Sequence, residues 1–160
     1  MSGGADASAA GSWEMSTRGH PLSDLTNLLT PYTTASLLPP PSESSSAAPD
    51  AALPHAHPAF HPSSHPPGLP TYDEVVALYG EAAGWTVPPG ELRWATAFNM
   101  FRQACISQGI AARVATRQAS SAEARRYAAA RNTLAELAWR LVLQVKEGEG
   151  ATRDRADSKL

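Results

Sequence analysis

Four imidazoles, one thiol and two carboxylates near the start of the chain are the side chains here with chemistry to offer. His55, His57, His61 and His65 fall within eleven residues, and imidazoles in that number can collect Zn²⁺ or Cu²⁺. Their spacing matches no helical face, Pro58 and Pro62 interrupt them, and no Cys or carboxylate lies close by. The reading that fits this pattern is a compositionally biased linker with solvated histidines; metal capture is the alternative. Cys105 is the single cysteine, which excludes an intramolecular disulfide and a Cys-based zinc site. It lies on the apolar stripe of a predicted helix, so we expect a buried thiol acting as a small hydrophobe rather than a nucleophile. Glu14 and Asp24 are the remaining candidates. Asp24 falls in the first turn of a short predicted helix, where the helix dipole favours a carboxylate.

The elements that must position these groups are helical. Residues 21–29 form a short helix with Pro21 at its first position, an apolar face of Leu22, Leu25, Leu28 and Leu29, and Pro31 as its stop. Thr71 and Glu74 make a capping box that opens a second helix through Val75, Val76 and Tyr79 to Gly84. The strongest pattern covers 91–116. There Trp94, Phe98, Phe101, Cys105 and Ala112 form one stripe with Ile106 and Ile110 beside it, and Arg93, Arg102 and Arg113 on the polar side. Gly109 inside this helix costs about 1 kcal/mol relative to Ala, which points to a close helix crossing. A second capping box at 120–123 opens a final helix over 121–146, with Tyr127, Leu134, Leu137, Ala138, Leu141, Val142 and Val145 on its apolar face. Gly148 and Gly150 end it.

Between and around these helices the composition is different. Residues 1–12 are small and polar, without side chains to bury, and are expected to be disordered. Residues 33–69 are rich in Pro, Ser, Ala and His, with three prolines at 39–41; a structureless loop of that length is expected to be a disordered linker. Residues 149–160 form a charged, flexible tail. The 160-residue chain carries a net charge of −2 and a pI near 6.2, which gives no nucleic-acid footprint and no polybasic membrane patch. No apolar run reaches the ~18 residues of a membrane span.

Two stretches carry a family resemblance. Trp13-Glu14, Ser16-Thr17, Gly19-His20-Pro21-Leu22 and Ser23-Asp24-Leu25 resemble a segment of the aminoglycoside phosphotransferase-like (choline-kinase-like) domains, in the version fused to acyl-CoA dehydrogenases. The run 101–110, Phe-Arg-Gln-Ala-Cys-Ile-Ser-Gln-Gly-Ile, is the second. The resemblance covers roughly 13–32 and 69–145. It implies a mainly α fold: a small helical bundle equivalent to the C-terminal helical part of a protein-kinase-like fold, with long disordered segments. On this reading 13–32 is the remnant of a metal loop and its helix, and 70–148 is a subdomain of three helices.

The resemblance also says what is missing. The family's Mg²⁺-holding Asp would precede Trp13, and Ser12 stands there instead; a neutral hydroxyl is a weak Mg²⁺ ligand beside a carboxylate. Trp13, Glu14, Gly19, Pro21 and Asp24 match the structural motif, but the catalytic loop to which Asp24 would anchor is not in the sequence. There is no Gly-rich loop, and the lysines are Lys146 and Lys159, so the phosphate clamp of phosphoryl transfer is lacking. We therefore expect no catalytic, cofactor or metal residues in this chain, although Mg-ATP is implied for complete relatives. Those relatives would phosphorylate a small hydroxylated molecule, such as a hydroxylated acyl group entering β-oxidation. The expected function is a truncated kinase-like domain protein without catalysis of its own. The alternative is a non-enzymatic helical interaction module, meeting a protein partner through apolar side chains left partly exposed at Trp85, Trp94, Phe98, Phe101 and Trp139. Ser158-Lys159-Leu160 is the tripeptide read by the peroxisomal import receptor. It implies that receptor as a partner and the peroxisome as location, with the cytoplasm as alternative.

Overall fold

The computed structural model describes residues 19–38, 53–64 and 66–157, and side chains as far as residue 148. These residues form six α-helices: α1 (Pro21–Leu28), α2 (Thr30–Ala35), α3 (Tyr72–Ala83), α4 (Pro89–Ala115), α5 (Ala124–Ala129) and α6 (Arg131–Asp157). A single 3-10 turn covers Pro58–Phe60, and no strand occurs among the described residues. The fold is mainly helical, as the sequence predicts.

Helix α1 begins where the sequence places it. The Nδ1 of His20 accepts the Leu22 amide at 3.3 Å, and Pro21 sits at the first position with Asp24 in the first turn. Pro31, however, does not end helical structure. It has no N–H to give the carbonyl of Asn27, so the chain breaks at Leu29 and restarts as α2 with Pro31 in its first turn, where a missing donor costs nothing. Along the inner side of both helices Thr26, Thr30 and Thr34 are buried. Their hydroxyls donate back to the carbonyls of Leu22, Thr26 and Thr30 at 2.7, 3.1 and 2.9 Å. That local bond is what allows a threonine to be buried without an orphaned hydroxyl.

Helices α4 and α6 pack antiparallel and form the body of the molecule. Met100 and Ala104 of α4 meet Leu134, Leu137 and Ala138 of α6 in one core cluster; Leu22, Leu25 and Leu29 meet Val75 and Leu92 in a second. Helix α3 starts on the predicted capping box. The Glu74 amide donates to the Thr71 hydroxyl at 3.3 Å, and the Thr71 amide donates to the Glu74 carboxylate at 2.7 Å. It ends on Gly84 in the left-handed region (φ 61°), a conformation glycine adopts without steric cost.

Three boundaries differ from the sequence reading. The segment after α2 is not uniformly disordered: Leu53 is 7% exposed and belongs to the α4–α6 core, and Phe60 meets Tyr32 edge-on at 4.8 Å. Two apolar side chains with a place to dock, in a proline-rich stretch with little chain entropy to lose, suffice to fix residues 53–64. The expected capping box at Ser120 does not form. Ser121 Oγ accepts the Glu123 amide at 3.2 Å, Glu123 pairs with Arg126 at 3.4 Å, and the helix is divided at Ala130 into α5 and α6. Finally, helix α6 continues past Gly148 and Gly150 to Asp157. The left-handed glycines among the described residues are Gly68 and Gly84, and a glycine that stays right-handed weakens a helix without ending it.

Candidate functional site

The residues singled out by sequence are scattered. Ser12, Trp13 and Glu14 lie outside the described residues, as do His65 and Ser158, Lys159 and Leu160. Gly19, with open space around it, precedes α1, and Asp24 is exposed on the first turn. Three of the histidines serve local structure. His57 Nδ1 accepts the Ala59 amide at 3.1 Å, His61 Nδ1 accepts the Ser63 amide at 3.2 Å, and the His55 ring stands 5.7 Å from that of Tyr127. Among the described residues no group of three His, Cys, Asp or Glu side chains could hold a metal ion.

Helix α4 corrects the sequence reading at Cys105. The stripe Trp94, Phe98, Phe101 and Cys105 carries two expectations, a buried thiol and rings left partly exposed. It faces outward: Phe98 is 66% and Phe101 57% exposed, and Cys105 is exposed rather than buried. The buried positions are Leu92, Thr96, Ala97, Asn99, Met100, Ala104 and Ser107. Small residues let α4 approach both α6 and α1 closely, where a ring at 98 or 101 would hold the helices apart. Gly109 is not at a crossing, since a Cβ added there meets nothing within 4 Å.

The buried amide of α4 is satisfied, whereas the Arg102 Nε beside it is buried without a hydrogen-bond partner among the described residues. Asn99 Nδ2 donates at 2.9 Å to both the Thr26 carbonyl and the Thr30 hydroxyl. Its Oδ1 accepts from Arg102 at 2.8 Å, and Arg102 also reaches Asn27 Oδ1 at 3.2 Å. This network ties α4 to the α1–α2 break.

Two surfaces could act on another molecule. The first is an apolar groove of about 270 Å³ between α4 and α6, floored by Ala97, Ala135 and Ala138 and walled by Trp94, Phe98, Phe101, Trp139 and Val142. Trp139 is 60% exposed. Trp85, which the sequence groups with these rings, is instead half-buried in the second core cluster.

The second is a cavity of about 320 Å³ bounded by α2, residues 59–64 and 66–72, and the facing parts of α4 and α6. Tyr32, Phe60, Tyr72, Leu141 and Val145 line it, together with Arg93 and Gln144. The Tyr32 hydroxyl donates to the Pro70 carbonyl at 2.6 Å, pinning the wall. Burial raises the Tyr72 phenol above its ordinary value, with Asp73 adding to the shift and a hydrogen bond with Thr96 opposing it. Burial, then Glu74, raises Tyr32 in the same direction. At its wall the His61 Nδ1 lies 2.7 Å from the Ser63 hydroxyl, and His61 and Ser64 both line the cavity. No sequence motif marked it, because Tyr32, Phe60, Arg93 and Leu141 come from four separate segments.

No protein-family model, curated protein or solved structure matches this chain. No described helix is long and apolar enough to cross a membrane.

Proposed function

We propose that this chain is a non-catalytic helical interaction module that associates with a second copy of itself through the α4–α6 groove. The observation that carries this reading is the outward placement of Phe98, with Phe101 and Trp139, on two long, well-packed helices. Exposed apolar patches of several hundred Å² mark interaction sites. At ring areas of about 200 Å² per side chain, Trp94, Phe98, Phe101 and Trp139 leave roughly 450 Å² of aromatic surface uncovered on each copy. Two copies face to face bury about 900 Å² from the rings alone, and the alanine floor and the polar rim carry the total towards the ~1,200 Å² of a specific interface. A two-fold pairing of two antiparallel helix pairs is a four-helix arrangement, a packing that α-helices adopt readily.

The phosphotransferase-like resemblance is, on this proposal, a matter of ancestry: Gly19, Pro21 and Asp24 retain a motif whose chemical partners are not in this sequence, and Mg-ATP has no site here. Ser158-Lys159-Leu160 is proposed as a peroxisomal address. Sedimentation equilibrium of the purified chain and of Phe98→Asp tests the central reading. We expect a dimer that the substitution converts to monomer. A monomer at millimolar concentration, or a dimer indifferent to the substitution, overturns it. Millimolar Mg-ATP is expected to leave the melting temperature unchanged, and an upward shift would restore a kinase-like reading.

A further inference from the structure

We propose that the cavity bounded by α2, residues 59–64 and 66–72, and the α4–α6 pair binds a small monocarboxylic acid with an aliphatic or aryl tail, and that Arg93 anchors its carboxylate. The volume, about 320 Å³, lies at the lower end of the range of small-molecule sites, about 300–1,000 Å³. The lining combines an apolar body with polar side chains, among them Ser36, His61, Ser64 and Gln144. Tyr32, Phe60, Tyr72, Leu141 and Val145 form an apolar body, suited to a hydrocarbon or aryl tail. Arg93 is the charged side chain of the lining, and no carboxylate among the described residues pairs with it.

That asymmetry selects the ligand class. An arginine fork matches a carboxylate with two parallel hydrogen bonds, and its single charge balances a monoanion. A phosphate dianion in so apolar a lining would need further cations. The Tyr32 hydroxyl competes little for the anion, because it already donates to Pro70 at 2.6 Å. The nearby Glu74 carboxylate is held in the α3 cap by the Thr71 amide and hydroxyl, at 2.7 and 3.0 Å. The wall is also preformed: the ring contact of Tyr32 with Phe60, at 4.8 Å, holds the 3-10 turn against α2. Preorganisation of this kind removes part of the ordering cost of binding.

This inference does not rest on self-association. Arg93 precedes Phe98 by five residues, which puts the two about 140° apart around α4. The test is calorimetric titration of the full chain with octanoate, octanol and inorganic phosphate, with helix content checked by circular dichroism. We expect saturable binding of octanoate and none of phosphate. Arg93→Gln should weaken octanoate binding about tenfold, the worth of a charge-assisted hydrogen bond, while leaving the oligomeric state unchanged. Leu141→Trp, which fills the cavity, should abolish binding, and Arg117→Gln, on the turn after α4, should leave it intact. Octanol binding as well as octanoate, or an Arg93→Gln chain with full octanoate affinity, overturns the anchor. No saturable octanoate binding at millimolar concentration overturns the site.

Discussion

Asn99 donates through Nδ2 to the carbonyl of Thr26 at 2.9 Å, and it does so from the buried face of α4 while its neighbour Phe98 points to solvent. Asn99 is 2% exposed. The pair inverts the usual order of a helix, with the amide inside and the ring outside. The inversion is tolerated because the amide is fully engaged, giving to Thr26 and Thr30 and accepting from Arg102.

Removing the Asn99 amide therefore tests whether the network holds α1 and α2 on α4. Asn99→Ala removes its hydrogen bonds to the Thr26 carbonyl, the Thr30 hydroxyl and Arg102; Thr30 and Arg102 keep their bonds to Thr26 and Asn27, so the expected cost is that of the lost bonds, about 1–3 kcal/mol in all. Urea unfolding should show a loss of that size with an unchanged m-value. Gln108→Ala, on the exposed side of the same helix, should change the midpoint little. Equal midpoints for the two variants would mean that the network contributes nothing net.

Phe98 makes the opposite prediction. With most of its ring in water, Phe98→Asp removes little burial within one copy, so monomer stability should change by less than about 0.5 kcal/mol. Met100→Ala, two residues on and fully buried, should cost about 2–5 kcal/mol. Thermal unfolding of both variants, at concentrations below the dimer's dissociation range, separates the outer face from the core.

How much of this was legible in the sequence depends on whether the deciding interaction is local. The capping box of Thr71 and Glu74 lies within four residues, and α3 starts there as read. The period of α4 was equally plain, but period alone does not say which face turns inward. The usual rule puts the rings in the core, and here close packing of Ala97, Met100 and Ala104 against α6 won instead. Threonine burial in α1 and α2 was illegible for a related reason: each hydroxyl is satisfied four residues back, which makes Thr26, Thr30 and Thr34 behave as core residues. Leu53 and Phe60 were hidden in a proline-rich composition, since their partners Met100 and Tyr32 are remote in sequence. The cavity is assembled wholly from such remote pieces, and no motif could have announced it.

Two glycines give a signed prediction. Gly109 sits in the exposed interior of α4 with nothing within 4 Å of an added Cβ, so Gly109→Ala should stabilise the protein by about 0.5–1 kcal/mol through helix propensity. Gly80 sits inside α3, but a Cβ there lies 2.9 Å from the Trp85 carbonyl oxygen, which is backbone and cannot swing aside. Gly80→Ala should lower the melting temperature despite the same gain in propensity. Thermal scans of the two variants side by side, with opposite shifts expected, check the turn geometry at the end of α3.

The raised phenols of Tyr72 and Tyr32 set the alkaline behaviour. Burial disfavours the tyrosinate in the folded protein, with Asp73 adding to this at Tyr72 and Glu74 at Tyr32, so the folded state keeps these protons to higher pH than the unfolded chain does. Stability that is fully present below the ordinary tyrosine value of 10.0 is then lost as pH rises through the higher folded values, because over that interval the unfolded state loses protons first. Urea midpoints measured from pH 8 upward should be flat to about pH 10 and fall beyond it. Tyr72→Phe removes the larger buried phenol while keeping its ring. It should reduce the slope of that fall, and a variant whose midpoints track the parent above that pH would show that Tyr72 ionises as freely in the fold as in the unfolded chain.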